Sequence, residues 1–197
     1  MNTVIKYYDE HAEREWKRLF RDAYHRLEFI VTMHFLDKYL PKTGVVLDAG
    51  GGPGRYSIEL AKKGYDVILF DISPRCLEVA KRRIARARIE NKVKEIIEGS
   101  ITDMGVFNDE QFDAVLCLGP FSHLIEKRQR EKAANEIVRV AKTGAHLFIS
   151  VISLYGVFRI ILQEFPQELT DPSHVELFTH GIHRWHEIPY KKERSFP

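Results

Sequence analysis

The chain has 197 residues, and 30 Lys+Arg against 28 Asp+Glu give a formal charge of +2, which favours neither a strongly basic nucleic-acid protein nor an acidic disordered tail. A hydrophobic fraction of 44% with 29% charged residues belongs to a globular domain with a real core, and no apolar run approaches the roughly 20 residues that span a bilayer. The charged N-terminal stretch and the two cysteines, Cys76 and Cys117, which lack metal-ligand spacing, argue against secretion and suit a reducing, cytoplasmic setting.

From residue 10 to 39 apolar positions such as Trp16, Leu19, Phe20, Tyr24, Leu27, Val31 and Phe35 recur at intervals of three and four, which predicts helix up to Pro41 and Gly44. A strand over Val45–Ala49 then leads into glycines and a helix that runs to Lys63 and stops at Gly64. A second strand, Asp66–Asp71, ends at Ser73-Pro74, a capping residue followed by a proline suited to the first helical turn. The helix opened there extends to about residue 89. Strands follow over Val93–Glu98, Phe112–Leu118 and residues 146–153, with a helix over 127–142 before the last. Strands alternating with helices imply right-handed crossovers and a doubly wound, mostly parallel α/β sheet, whose ligands bind beyond the strand carboxyl ends where strand order reverses.

The most informative stretch is Val45-Val46-Leu47-Asp48-Ala49-Gly50-Gly51-Gly52-Pro53-Gly54-Arg55, between a strand and a helix. A dinucleotide fingerprint, G-x-G-x-x-G, counted from Gly50 and Gly52 meets Arg55 at its third glycine. The stretch instead fits D-x-G-x-G-x-G, with Asp48, Gly50, Gly52 and Gly54 in the fixed places. Asp71, at the end of the second strand, stands where a carboxylate accepts ribose hydroxyls.

On these residues the chain resembles the class I S-adenosylmethionine-dependent methyltransferases. The resemblance covers residues 7–155 and includes Tyr7-Tyr8-Asp9-Glu10, Tyr24-His25-Arg26-Leu27-Glu28, Leu118-Gly119-Pro120-Phe121-Ser122-His123-Leu124 and Glu136-Ile137-Val138-Arg139-Val140. It implies a Rossmann-like fold and S-adenosylmethionine as methyl donor, leaving S-adenosylhomocysteine. Asp48 and Ala49 would lie near the methionine part of the cofactor, with Gly50, Gly52 and Gly54 in the loop beneath it. Asp71 with Ile72 would bind ribose, Ser100 and Ile101 would flank adenine, and Leu118 with Gly119 would line the methyl-donor cleft. Tyr8 and Arg26 belong to a segment that folds over the cofactor in relatives, and Arg26 is suited to the cofactor carboxylate or to an ion pair with Glu28 or Asp22. Two departures stand out: Gly99-Ser100-Ile101 lacks the acid common after strand three, leaving Asp103 or backbone for adenine, and Lys142-Thr143-Gly144-Ala145 replaces the usual turn before strand five.

Methyl transfer from a sulfonium is an in-line displacement needing alignment and desolvation rather than a covalent nucleophile or a metal. A base helps when the acceptor arrives protonated, and His123, after strand four, is the candidate; a structural histidine is the alternative. Asp48 either favours the cofactor's positive charge or caps the loop after it, and both roles are compatible. Lys81, Arg82, Arg83, Arg86, Arg88, Lys92 and Lys94 surround a single acid, Glu90, which reads first as a solvated helix face and second as a contact for RNA or an acidic partner. His180, His183 and His186, with His174 nearby, are not convergent enough to predict a metal.

The expectation is one domain over 1–197: a helical lid over 1–43, a cofactor-binding core over 44–153 and a shortened end over 154–197. That end holds a helix at Leu154–Glu164, a short strand at 177–179 and a charged stretch at 191–194. An incomplete sheet leaves an open edge that a homodimer would cover. The acceptor is expected to be a small molecule, with membrane excluded and nucleic acid disfavoured. The rivals are a cofactor-binding, non-catalytic or partner-stabilising protein and, against Arg55, a nicotinamide oxidoreductase.

Overall fold

Five apolar runs become five parallel strands in the computed structural model, which describes residues 3–164, 166–170, 172, 174 and 179. The strands are β1 (Val45–Ala49), β2 (Asp66–Asp71), β3 (Val93–Glu98), β4 (Phe112–Leu118) and β5 (Ala141–Ser150), in the order β3-β2-β1-β4-β5. Strand order reverses at β1, which pairs with β2 on one side and β4 on the other, with Leu47 opposite both Ile68 and Val115. The crossover helices are α3 (Arg55–Lys62) and α4 (Pro74–Ala87) on one side of the order and α5 (Lys127–Val140) on the other; α1 (Thr3–Arg18) and α2 (Ala23–Tyr39) precede the sheet. This is the expected doubly wound α/β fold.

The chain divides into two compact units, residues 1–151 and 152–197. The first holds the sheet and two cores, one on each face. Val46, Leu60, Leu69, Ala80 and Leu116 lie in one, with Leu19 and Leu36; Leu47, Phe70, Phe112, Val115 and Ile137 lie in the other. Alternation along β1 and β2 sends successive side chains to opposite cores, as a parallel sheet covered on both faces requires. The second unit contains α6 (Leu154–Glu164), as expected, and a 3-10 turn over Pro166–Thr170. The expected strand at 177–179, Thr179 apart, and the charged stretch at 191–194 lie outside the described residues. Among the described residues no helix is long and apolar enough to cross a membrane.

Two boundaries differ from expectation. The single N-terminal helix is two helices, and helix begins at Thr3 rather than after Asp9. The break comes at Asp22, whose extended backbone and side chain cap α2 by accepting from the N–H of His25 at 2.9 Å. Of α2, only Leu36 is fully buried, while Tyr24, Leu27, Ile30, Val31 and Phe35 are exposed. Strand β5 starts at Ala141 and stops at Ser150. The Lys142-Thr143-Gly144 turn is absorbed as an irregularity between the pairings Phe112 with Ala141 and Ala114 with His146, with Gly144 at φ +82°.

The contrast along α2 gives a direct check of this packing. Leu36→Ala should cost about 2–5 kcal/mol in urea denaturation, as a large buried side chain does, whereas Leu27→Ala should stay within about 0.5 kcal/mol of the parent.

Candidate functional site

The carboxyl ends of β1 and β2 are joined by one carboxylate. Asp71, only 8% exposed, accepts from the Gly52 N–H at 2.7 Å through Oδ2 and from the Ser73 N–H at 2.8 Å through Oδ1. Its own carbonyl accepts from the N–H of Gly99 at 2.9 Å, after β3. Burial raises the Asp71 pKa above the usual carboxylate range, opposed by the N–H groups of Ser73 and Gly52. Each oxygen keeps acceptor capacity for a ligand hydroxyl.

The glycine loop has the backbone that its sequence demands. Gly50, Gly52 and Gly54 all have positive φ, at +77°, +54° and +78°. Their surroundings differ. A Cβ at Gly50 would lie 2.1 Å from Pro120 Cγ, and one at Gly54 would lie 3.2 Å from Ala80 Cβ and 3.3 Å from Leu69 Cδ2. At Gly52 and at Gly119 a Cβ would meet nothing within 4 Å, so these two positions border open space. Gly54 therefore serves helix packing, and Gly52 is the residue that leaves room for a ligand beside the backbone.

Asp48 ends up beneath this loop, 1% exposed, with Oδ2 accepting from the Ser57 N–H at 3.1 Å and hydroxyl at 2.6 Å. It thus holds the first turn of α3. Burial pushes its pKa up to about 6, with the two Ser57 hydrogen bonds opposing.

Helix α1 reaches the loops on both sides of β1. Asp9 Oδ1 accepts from the Ser73 hydroxyl at 2.7 Å and the Arg75 N–H at 3.2 Å, after β2, while the Tyr8 hydroxyl meets His123 Nε2 at 2.8 Å, after β4. Burial holds the Tyr8 phenol well above its ordinary pKa, so it stays protonated and donates. A neutral His123 then carries its proton on Nδ1.

A family model described as a methyltransferase domain matches residues 46–144, from β1 into β5. The chain belongs to the class I S-adenosylmethionine-dependent methyltransferases. A glycine/sarcosine N-methyltransferase from Parasynechococcus marenigrum is 33% identical over 151 residues, covering 71% of this chain and 51% of the relative. A demethylmenaquinone methyltransferase from Clavibacter sepedonicus is 34% identical over 108 residues, covering 55% and 41%. The chain thus spans about half the length of these curated relatives. Among solved structures, an S-adenosylmethionine-dependent methyltransferase from Methanosarcina mazei shares the fold at a TM-score of 0.58 and 23% identity, covering 68% of this chain and 65% of that one.

For a methyltransferase, the expected residues fall into three groups. Gly50, Gly52, Asp71, Leu118 and Gly119 surround the strand ends, with Ile72 half-buried beside Asp71 and the backbone of Ala49 closing β1. Tyr8 and His123 come together although 115 residues separate them. His123 Nε2 is engaged by the Tyr8 hydroxyl, so proton acceptance at that nitrogen requires this bond to open. Three others lie elsewhere. Ile101, 7% exposed, sits in the core with Phe70, Met104 and Phe107, because its turn folds inward; Ser100 bonds to Thr102 Oγ1 at 2.9 Å and pairs with Asp103. Arg26 is exposed on α2, and its expected acids are bound by other arginines, Glu28 by Arg18 at 2.7 and 3.0 Å and Asp22 by Arg21 at 3.1 Å.

Arg18, which the sequence did not single out, lies in an ion-paired cluster close to Tyr8. Glu28 and Glu15 hold it charged, above its ordinary pKa, and its charge acts on Tyr8. Asp9 was within the quoted Tyr-Tyr-Asp-Glu stretch but had no assigned partner. Both cysteines are buried thiols pushed up to about 12, which leaves neither as a nucleophile at neutral pH. The histidines at 180, 183 and 186 lie outside the described residues.

The loop geometry is testable through stability. Gly54→Ala should cost about 1–2 kcal/mol for its left-handed backbone, with a further contribution from Ala80 and Leu69. Gly64→Ala, at φ +99° with open space around it, should show the backbone cost alone, so urea denaturation should rank Gly54→Ala as the more damaging.

Proposed function

We propose that the chain transfers a methyl group from S-adenosylmethionine to a small-molecule acceptor. The observation that carries this reading is the pairing of the Asp71 carboxylate with the open backbone at Gly52, an acceptor for ribose hydroxyls beside a surface with no side chain. The cofactor supplies an activated methyl group on a sulfonium. The chain's own residues bind and enclose it: Asp71 and Ile72 at ribose, the loop of Ala49, Gly50 and Gly52 below, the backbone at Ser100 and Ile101 beside adenine, and Leu118 with Gly119 toward the acceptor. Asp48 contributes negative charge from beneath the loop once ionised. Residues 1–43 act as the lid, with Tyr8 and Asp9 closing on loops at either side of β1, and His123 anchors Tyr8.

A small-molecule acceptor is supported by relatives named for glycine/sarcosine and demethylmenaquinone. A cytoplasmic location belongs to the same proposal, supported by the two unpaired thiols. So does a homodimer formed at β5, an outer strand of the sheet.

Methyl-labelled S-adenosylmethionine, incubated with the protein and a panel of small amines, carboxylates and quinols, tests the reading. Label should pass to an acceptor, and Asp71→Ala should weaken cofactor binding by about 1.5–3 kcal/mol, the value of a hydrogen bond to a charged group. Cofactor binding without transfer to any acceptor would sink the enzymatic claim in favour of a binding role.

A pH series gives a second check. Burial pushes the Asp48 pKa up to about 6, so affinity for the positively charged donor should fall as pH drops through that value. Because the folded state holds this proton more tightly than the unfolded chain, the group's destabilising contribution is complete above about pH 6 and is relieved as pH falls toward about 3.9. Calorimetry across pH 5–7.5 measures the first trend, and Asp48→Asn should flatten it.

A further inference from the structure

The basic stretch following residue 80 has no part in the methyl-transfer reading, yet part of it turns toward a built cavity. Between α1, α3 and α4 lies a concavity of about 230 Å³ whose lining includes Trp16, Arg55, Glu59, Lys62, Arg83 and Arg86. Four cations face one acid. Glu59 is itself bound to Lys62 at 3.0 Å, and the carboxylate of Glu13 is shared between Arg83 at 2.9 Å and Arg82 at 2.7 Å.

Two of the guanidinium groups are fixed in place. Arg55 stacks 3.5 Å from the Trp16 ring centroid and 4.7 Å from that of Phe20, and its Nη2 donates to the Trp16 carbonyl at 2.5 Å. Arg83 stands over the same indole at 4.9 Å. Among the described residues, Arg55 Nε is buried without a hydrogen-bond partner. Desolvation lowers the Arg55 pKa, and the charge of Arg83 lowers it further. Like charges held rigidly together repel, and an anion in the cavity relieves that repulsion while taking hydrogen bonds from the exposed edges of the cations.

We propose that this cavity is a binding site for a phosphate group. Rigid guanidinium edges supply several donors in fixed directions, which suits an anion with three acceptor oxygens and more than one charge. Glu59 disfavours a weakly charged anion, since an incoming group must outweigh its repulsion. Lys81, Arg82 and Arg88 continue along α4 and its end, so the phosphate comes either from a free phosphate ester or from a polynucleotide backbone. The site is lined from the outer helices and does not use Asp71 or Gly52, so it stands independently of the methyl-transfer reading.

Titration of the purified chain with tripolyphosphate tests the proposal. Binding should saturate at one site, weaken as salt is raised, and fall by at least about tenfold in the double variant K62E/R86E. Lys62 and Arg86 are surface residues outside the proposed cofactor machinery, and R86Q should give a smaller loss in the same direction. S-adenosylhomocysteine affinity, measured on the same samples, should not change and reports separately on the cofactor site. A short single-stranded oligouridylate is the second arm: tighter binding than tripolyphosphate assigns a polynucleotide, and weaker or equal binding assigns a free ester. Absence of saturable tripolyphosphate binding, or binding indifferent to both variants, overturns the site.

Discussion

Much of the cofactor end depends on one buried carboxylate with two backbone donors. Asp71 ties the glycine loop after β1 to the start of α4 through Gly52 and Ser73, and its carbonyl holds Gly99 after β3. Desolvating a carboxylate is unfavourable, and the N–H groups offset that cost while fixing the direction of both oxygens. The same arrangement passes outward. Ser73 caps α4 at the Cys76 N–H and donates to Asp9, so the position of α1 is linked to the geometry at the strand ends.

Charge is distributed around this clamp by depth. Asp48 and Asp71 are buried at the ends of β1 and β2, where low polarity magnifies their effect on a nearby cation. The cations lie farther out: Arg18 is fixed by two glutamates, and Arg55 and Arg83 stack on Trp16. With the thiols held neutral, the strand ends carry positioned acceptors, open backbone and a helix, α1, bonded to the loops after β2 and β4, a suitable set for a displacement in which alignment and exclusion of water supply most of the rate.

Strands β1 to β4 were legible because each is a short apolar run bounded by glycine, proline or charge, and the parallel arrangement followed from the intervening helices. Strand β5 was misplaced because Gly144 permits a local irregularity that keeps pairing through residues that read as a turn. The break at Asp22 was hidden by apolar spacing that continues across it, although an aspartate three residues before His25 carried the capping signal. In the site, Asp71 and the glycines were readable because their constraints are local: a strand end, a positive φ, a missing Cβ. The Arg18–Glu28 pair and the Tyr8–His123 bond went unseen, because those relations depend on how α1 and α2 lie against each other and the sheet.

The central claim is that the adenosyl group binds where Asp71 joins the two loops. Its most direct test is a titration with S-adenosylhomocysteine followed through backbone amide resonances. The account predicts that Gly52, Ser73 and Gly119 shift together with one saturable binding constant. Absence of any shift, or shifts confined to residues away from the ends of β1, β2 and β4, would contradict it.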